Sequence, residues 1–229
     1  MCQINQFIDI HTHHPKTGSN VSIVNVLVDE AFIDLAAIQK IKDNNPLFWF
    51  SAGIHPWHMD NWRHKLDNLK VVSQDGNIIA IGECGLDKKI EAPLNEQTEL
   101  FQLHIALSEE LQKPIIIHCV KAFNELIEIR KNTKHELPWI IHGFNSNKEI
   151  ATQCLKHRMI LSFGKSLLNS KSGITDVIKW LPIESIFLET DDTNLSIEEL
   201  YWKCSEIRGI SLDDLKSGIA RNFKNYFKC

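Results

Sequence analysis

The sequence lacks the features that mark membrane, secreted and disulfide-rich proteins. Its apolar runs fall short of the roughly 18 residues that a membrane span requires, and its start, MCQIN, shows neither the basic region nor the apolar core of a signal peptide. The six cysteines form no C-x-x-C pair and no dense framework, which favours reduced thiols in a cytoplasm. Repeats, low-complexity tracts and flexible linkers are also missing. We therefore expect one cytoplasmic domain over residues 1–229, monomeric and without a membrane partner.

The chain also lacks a surplus of basic residues. It has 25 Lys and Arg against 29 Asp and Glu, a net charge of −4 and a pI of about 6.3. A broad basic surface that wraps nucleic acid is therefore not expected, although a local groove for a strand end remains compatible with this charge. The hydrophobic content of 43% and the charged content of 24% are typical of a globular protein.

Short apolar segments alternate with segments of helical periodicity along the whole chain. The predicted strands are residues 7–13, 21–28, 47–54, 77–82, 114–117, 137–141, 159–163 and 183–188. Six predicted helices cover residues 30–42, 61–72, 94–112, 122–134, 148–156 and 167–180. Gly173 weakens or divides the sixth of them. Two further helices are predicted to start at Ser196 and Ser211, where capping boxes occur. The loop between the first two strands leaves little room for a helix. This alternation predicts an α/β fold with a parallel sheet, either a closed (β/α)8 barrel or an open doubly wound sheet.

Polar residues follow most of these strands, and their positions favour the barrel. His11 and His13 lie two residues apart, so an extended strand presents both imidazoles on one face, which Asp9 shares. The carboxyl ends of other predicted strands carry further candidates, namely His55, Glu83, His118, His142 and Asp191. In a barrel these ends converge on one mouth, whereas in an open sheet they are spread along an edge. We therefore predict a compact, slightly distorted (β/α)8 TIM barrel.

The convergence of histidines and carboxylates indicates a metal centre. A single histidine is more often a satisfied core residue, and that interpretation, or simple exposure to solvent, is kept for His14, His58, His64, His104, His135 and His157. The strand-end set holds more ligands than one zinc ion takes in a catalytic site, which suits two ions with a bridging carboxylate. Cys84 and Cys119 adjoin proposed ligands but point to the opposite face of their strands. No Ser-His-Asp order, P-loop or Rossmann fingerprint competes with this interpretation.

The ordered motifs resemble those of the TatD family of metal-dependent hydrolases, within the amidohydrolase-like barrels. The motifs are DIHTH at 9–13, GIHP at 53–56, IGECGLD at 81–87, PIIIH at 114–118, IHGF at 141–144 and LETD at 188–191. Gln97, Phe101, Ala106 and the pair Asn222-Phe223 match as well. The resemblance covers nearly the whole chain.

The resemblance implies a binuclear centre of two divalent ions, such as Zn, Mn or Mg, and a DNase activity that trims 3′ ends. It places one metal ion on His11, His13, Glu83 and Asp191, and the other on Glu83, His118 and His142. It also implies that Asp191 activates the water, and that His55 faces the leaving group or the scissile phosphate.

The sequence departs from the family pattern near the predicted mouth. Val120 stands where the family usually has an arginine, and Lys121 follows it. Lys88-Lys89 follows Asp87 where an aromatic residue is common, and Asp192-Thr193-Asn194 replaces a proline-containing loop. Lys121, with Lys88 and Lys89, is therefore the predicted phosphate contact.

These departures leave the substrate open. The first hypothesis is a phosphodiesterase that acts on DNA ends, single-stranded ones in particular. The second keeps the metal centre but hydrolyses a small-molecule amide, ester or lactone, or an aminoacyl ester. The third is a metal-binding scaffold without catalysis.

Overall fold

Eight parallel strands form one continuous sheet in the part of the chain that the structure describes, residues 6–29, 33–134, 136–169 and 173–227 of a computed structural model. They follow one another in chain order around the sheet. The strands are β1 (Ile8–Thr12), β2 (Val21–Leu27), β3 (Phe48–Gly53), β4 (Ile78–Asp87), β5 (Ile115–Val120), β6 (Trp139–Ile141), β7 (Met159–Phe163) and β8 (Ile186–Leu188).

The sheet closes on itself just beyond β8. The backbone N–H of Asp191 donates to the carbonyl oxygen of His11 at 2.9 Å, and the N–H of His13 donates to the carbonyl oxygen of Asp191 at 3.0 Å. This bridge joins the ends of β8 and β1, and it confirms the predicted barrel over the open sheet. The seam of the barrel therefore runs through two of the predicted metal-binding segments.

Helices cover the outside of the barrel. They are α1 (Leu35–Asn44), α2 (Trp62–Val72), α3 (Leu94–Leu111), α4 (Phe123–Asn132), α5 (Lys148–Lys156), α6 (Ile174–Trp180), α7 (Ile197–Arg208) and α8 (Leu212–Phe227). No helix separates β1 from β2, as predicted. Residues 30–32 of the first predicted helix lie outside the described residues. Among the helices of the described ranges, none has the length and apolarity to cross a membrane.

The predicted helix boundaries hold where a capping side chain sets them. The Ser196 hydroxyl accepts from the N–H of Glu199 at 3.2 Å, and the Ser211 hydroxyl accepts from the N–H of Asp214 at 3.1 Å. Of the predicted helix 167–180, the described residues show α6 starting just after Gly173 and a separate 3-10 turn over Lys165–Leu168, while residues 170–172 lie outside the described ranges.

Strand β4 is longer than its apolar run predicts, since it continues past Gly82 to Asp87. Gly82 and Gly85 have φ values of 135° and 145°, which side chains rarely adopt. A Cβ at Gly82 would collide with the carbonyl oxygen of Ile116, and one at Gly85 with that of His118. The two glycines therefore let β4 run close beside β5. As a result, Glu83 lies inside a strand at the mouth rather than in the loop after it.

The strands are buried on both faces, which makes the barrel a rigid support for its mouth. All residues of β1, β4, β6, β7 and β8 are buried. Burying one large aliphatic side chain contributes about 1.5–3 kcal/mol, so these strands supply much of the stability. Side chains at their carboxyl ends are thereby fixed in position.

Candidate metal centre

Glu83 lies at the centre of the mouth, and one of its carboxylate oxygens faces the end of β1. Oε2 lies 3.2 Å from Nε2 of His11 and 3.5 Å from Nε2 of His13. Both imidazoles are also 3.7 Å from Oδ1 of Asp191. The structure therefore brings His11 and His13 together at the end of β1, where two carboxylates meet them.

The other oxygen of Glu83 faces three imidazoles from three other strand ends. Oε1 lies 2.8 Å from Nε2 of His142, 3.0 Å from Nδ1 of His118 and 3.0 Å from Nε2 of His55. Nδ1 of His118 is in turn 3.3 Å from Nε2 of His142. The carboxylate of Glu83 thus faces one set of nitrogen atoms with each oxygen, which is the arrangement a bridging ligand requires.

His11 provides a separate sign that this cluster fits a metal ion. Its side chain is fully buried, and its Nδ1 has no hydrogen-bond partner among the described residues. A buried polar group without a partner costs about 1–3 kcal/mol, so a native structure rarely keeps one without a reason. Imidazole and carboxylate together suit divalent transition metals.

Three groups of side chains in the described residues bring ligand atoms close enough to hold one ion. They are His11 with His13 and Glu83, His11 with His142 and Asp191, and His55 with Glu83 and His118. All six predicted ligands appear in these groups, and His55 joins them. The division of the ligands between two ions, and the placement of His55 outside both sets, stay predictions.

The charges of the cluster favour a cation. Burial opposes ionisation of Glu83, but the imidazoles of His142 and His11 outweigh burial and hold its pKa well below the usual range. Burial likewise opposes the charged form of His142, yet Glu83 and Glu189 raise its pKa. The hydrogen bond to Glu83 raises the pKa of His13. A metal ion that binds here would therefore displace protons from the imidazoles.

Asp87 holds His118 in position, a role that the sequence pattern did not predict. Its Oδ2 lies 3.2 Å from Nε2 of His118, so Nδ1 of that ring points to Glu83. Gln97 fixes the backbone of Asp87, because its side chain accepts from the N–H at 2.7 Å and donates to the carbonyl oxygen at 3.0 Å. A carboxylate on the far nitrogen of a ligating imidazole sets its orientation. The only sequence signal for this role was that Asp87 and Gln97 both match the family motifs.

Glu189 and Asn25 support the centre from two other strands, and sequence reasoning missed both roles. Oε1 of Glu189, which is fully buried, lies 3.4 Å from Nδ1 of His142 and accepts from the N–H of Gly143 at 2.5 Å. Oδ1 of Asn25 accepts from the N–H of Glu83 at 3.0 Å. Glu189 follows β8 directly, which was its only signal, whereas nothing in the pattern around Asn25 marks it.

Asp9 serves the closure of the barrel and is absent from all three ligand groups. Its carboxylate accepts from the N–H of Thr190 at 3.0 Å and from the Thr190 hydroxyl at 2.6 Å. Burial raises its pKa to about 7. Asp9 thereby holds the segment that carries Asp191 against β1.

Two cavities flank the centre and share His118, His142 and Asp191 as lining residues. The polar cavity, of about 350 Å³, is also lined by Cys119, Val120, Gly143, Asn145, Gly164, Lys165, Ser166, Asn169 and Glu189. The Trp57 cavity, of about 270 Å³, is also lined by His13, Asn25, Leu27, His55, Trp57, His58, Glu83 and Asp192.

The predicted phosphate contacts Lys121, Lys88 and Lys89 are not among the lining residues of either cavity. Lys121 is exposed, with a φ of 54°, and directly follows Val120 in the wall of the polar cavity. Lys88 pairs with Glu125. Lys165, which the motifs did not single out, lines the polar cavity and lies 3.5 Å from Oδ1 of Asp192. The cavity therefore has one lysine in its wall and another beside it.

The remaining histidines of the described ranges are core residues or lie at the surface, as predicted. His14, His58 and His64 are exposed, His157 is partly buried, and His104 is a buried, hydrogen-bonded residue of α3. His135 lies outside the described residues. The Sγ atoms of Cys84, Cys119, Cys154 and Cys204 form no disulfides.

The family model of TatD-related DNases matches residues 8–228. The chain is similar to the 3′-5′ ssDNA/RNA exonuclease TatD of Pantoea ananatis, with 30% identity over 148 residues that cover 62% of this chain and 57% of the relative. The protein of the same name from Citrobacter koseri is 26% identical over 159 residues, which cover 67% of this chain and 61% of the relative. The chain thus spans about three fifths of the length of these relatives.

Solved structures share the fold. A TatD homologue from Escherichia coli K12, YjjV, superposes with a TM-score of 0.87 at 21% identity, covering 99% of this chain and all of that one. A TatD-family hydrolase from Entamoeba histolytica superposes with a TM-score of 0.83 at 18% identity, covering 97% of this chain and 98% of that one. A dihydroorotase superposes with a TM-score of 0.63 at 12% identity, covering 97% of this chain and 82% of that one. The barrel therefore accounts for nearly the whole length of the chain.

Proposed function

The chain belongs to the TatD-related DNase family, and from this membership and the geometry of the mouth we propose that it is a metal-dependent phosphodiesterase. It would remove nucleotides from the end of a single-stranded nucleic acid. The observation that carries the proposal is the position of Glu83, whose two oxygens lie 2.8–3.5 Å from five imidazoles. The relatives named as exonucleases of single-stranded DNA and RNA support the choice of substrate.

The proposed ligands divide at Glu83. One set is His11, His13, Glu83 and Asp191, and the other is Glu83, His118 and His142. When bound, two divalent ions such as Zn, Mn or Mg would activate a water molecule and offset the charge that develops on the phosphate.

Asp191 is the proposed proton acceptor. Its side chain is 26% exposed, whereas that of Glu83 is 5% exposed, and Asp191 lines both cavities. Its backbone is fixed at the barrel seam by hydrogen bonds to β1. A carboxylate held rigidly beside the attacking water, with access to solvent, can accept a proton and release it.

His55 is the proposed contact to the leaving group or scissile phosphate. Its Nδ1 accepts from the N–H of Trp57 at 3.1 Å, so the proton of the neutral ring resides on Nε2. Burial lowers the pKa of His55, against the opposing effect of Glu83. The neutral ring would therefore present a hydrogen-bond donor to an oxygen at the centre.

The polar cavity is the proposed path of the nucleic acid strand. Lys165 lies in its wall, and the predicted contact Lys121 lies at its edge beside Val120. Two lysines suffice to neutralise phosphates locally in a protein whose net charge is −4. This arrangement needs no basic surface outside the mouth.

The test is digestion of a single-stranded oligonucleotide that carries a label at its 3′ or its 5′ end, with metal-supplemented protein. We expect stepwise shortening from the 3′ end by the wild type and intact DNA with Asp191→Asn. Intact DNA with the wild type under Zn, Mn and Mg would refute the proposal. Shortening by Asp191→Asn at the full rate would refute the assigned base.

A second candidate keeps the centre but hydrolyses a small-molecule amide, ester or lactone, or an aminoacyl ester. The observation in its favour is Val120, because this apolar side chain lines the polar cavity where the family usually has an arginine. A panel of acyl substrates separates the two candidates, since turnover of an ester or lactone without turnover of DNA would select this one. A scaffold without catalysis would bind metal and turn over neither class.

A further inference from the structure

The Trp57 cavity carries an unusual amount of exposed apolar surface. Trp57 is 63% exposed, the highest value among the large hydrophobic residues of the described ranges, and Leu27 is 40% exposed. Both line the same cavity of about 270 Å³ beside the metal centre. Exposed apolar surface that collects in a cavity beside catalytic groups indicates a binding site.

The indole ring of Trp57 is held in place by contacts of its edge with Asp87 and His55. Its Nε1–H donates to Oδ2 of Asp87 at 2.8 Å, and Asp87 is itself buried and fixed by Gln97 and His118. The ring meets His55 edge-on, with 5.1 Å between centroids and 89° between planes. These contacts fix the orientation of the indole, while its exposure leaves most of the ring surface available to a ligand.

We propose that Trp57 is a stacking platform for the nucleobase next to the scissile phosphate. The inference rests on the proposed function and adds to it how the terminal nucleotide is held. The cavity has room for one nucleoside, and His55 in its wall lies between the indole and Glu83. Stacking on an aromatic face tolerates every base, which suits stepwise removal of nucleotides from any sequence.

The strand would then cross the centre, with its terminal base on Trp57 and its remaining phosphates in the polar cavity. Lys165, Ser166 and Asn145 in the polar cavity can contact phosphates, whereas Leu27 and Trp57 in the Trp57 cavity offer apolar surface beside His55 and Glu83. The proposed path therefore rests on Lys165 on one side of the centre and on the exposed indole of Trp57 on the other.

The experiment is calorimetric binding of deoxyadenosine monophosphate and of 2-deoxyribose 5-phosphate, which lacks the base, to the metal-loaded protein. Trp57→Ala should weaken binding of the nucleotide about 5- to 150-fold, the range found for one stacked base, and leave binding of the sugar phosphate unchanged. Trp57→Phe, which keeps a ring without the N–H, should retain most of the affinity. Trp202→Ala is the matched control, because Trp202 is 60% exposed on α7 and does not line the cavity.

Each other result overturns the inference. Equal weakening of both ligands would mean that Trp57 acts only by positioning Asp87 and His118. Unchanged binding of the nucleotide in Trp57→Ala would place the base elsewhere. The digestion test is independent: base-dependent binding without digestion would refute the phosphodiesterase but keep the base site, whereas digestion with unchanged nucleotide binding would do the reverse.

Discussion

Two completely buried histidines, His104 and His11, show how the outer layer and the mouth of this barrel differ. Nε2 of His104 accepts from the N–H of Ile54 at 3.0 Å, and its Nδ1–H donates to the carbonyl oxygen of Leu100 at 2.9 Å. His11 is equally buried, but its Nδ1 has no hydrogen-bond partner among the described residues, and its Nε2 faces Glu83 and Asp191. Burial is the same at the two sites, and only the partners differ.

The difference separates a residue that stabilises the fold from one placed for function. Burial lowers the pKa of His104 to about 4, so it is a neutral ring that links α3 to the end of β3. At the mouth, imidazoles crowd around carboxylates at an energetic cost that a bound cation would offset. Mutations at the mouth should therefore change activity, and mutations at His104 should change stability.

The largest expected effect is that of Asp191→Asn. Loss of the proposed general base should lower kcat about 10²- to 10⁴-fold, because the amide cannot take a proton from water. Urea unfolding of the metal-free protein should change by less than about 0.5 kcal/mol, since the side chain is partly exposed. Single-turnover digestion and denaturation curves measure the two quantities. A variant that is both inactive and markedly less stable would mean that Asp191 is needed for the barrel seam.

The opposite pattern is expected for His104→Leu. Leucine leaves the buried N–H of Ile54 without an acceptor, so the free energy of unfolding should fall by about 1–3 kcal/mol, while kcat should stay within a few-fold of the wild type. His64→Leu on the exposed face of α2 is the control and should change neither quantity. If His104→Leu instead lost activity at full stability, the contrast between the two histidines would fail.

The pH dependence of stability sharpens this contrast. The pKa of His104 is lowered from 6.5 to about 4 in the folded chain, so between these values the unfolded chain binds a proton that the folded chain does not. Its stabilising effect is therefore present above pH 6.5 and lost as the pH falls towards 4, by on the order of 3 kcal/mol. We expect the stability gap between the wild type and His104→Leu to shrink over this interval. A gap that is constant with pH would show that the ring titrates normally.

The smallest effects are expected at the rim of the polar cavity. Lys165→Ala and Lys121→Ala should each raise KM for an oligonucleotide by a few-fold at low salt with little change in kcat. The difference should fade at high salt, because exposed charges are screened beyond about 10 Å at 0.1 M. Lys179→Ala, a change in α6, is a control for total charge. An unchanged KM for both cavity variants would remove the polar cavity from the proposed path of the strand.

The sequence predicted those parts of the mouth that depend on local spacing. His11 and His13 follow from the two-residue repeat of a strand, and His118 follows from an apolar run that ends in a polar residue. Contacts between distant segments gave no such signal. The extension of β4 to Asp87 depends on the close approach to β5 at Gly82, and the placement of Lys165 depends on how β7 ends beside the loop after β8.

Whether Glu83 is the shared ligand of a binuclear centre is measured by the metal content per chain, by mass spectrometry after dialysis, of the wild type, Glu83→Gln and His104→Leu. We predict two ions in the wild type and in His104→Leu, and an affinity lower by at least about 100-fold in Glu83→Gln, since even outer partners of ligands change affinity about 10- to 100-fold. A wild type that binds no metal would contradict the metal centre at Glu83. A His104→Leu protein that loses metal as Glu83→Gln does would contradict the purely structural role of His104.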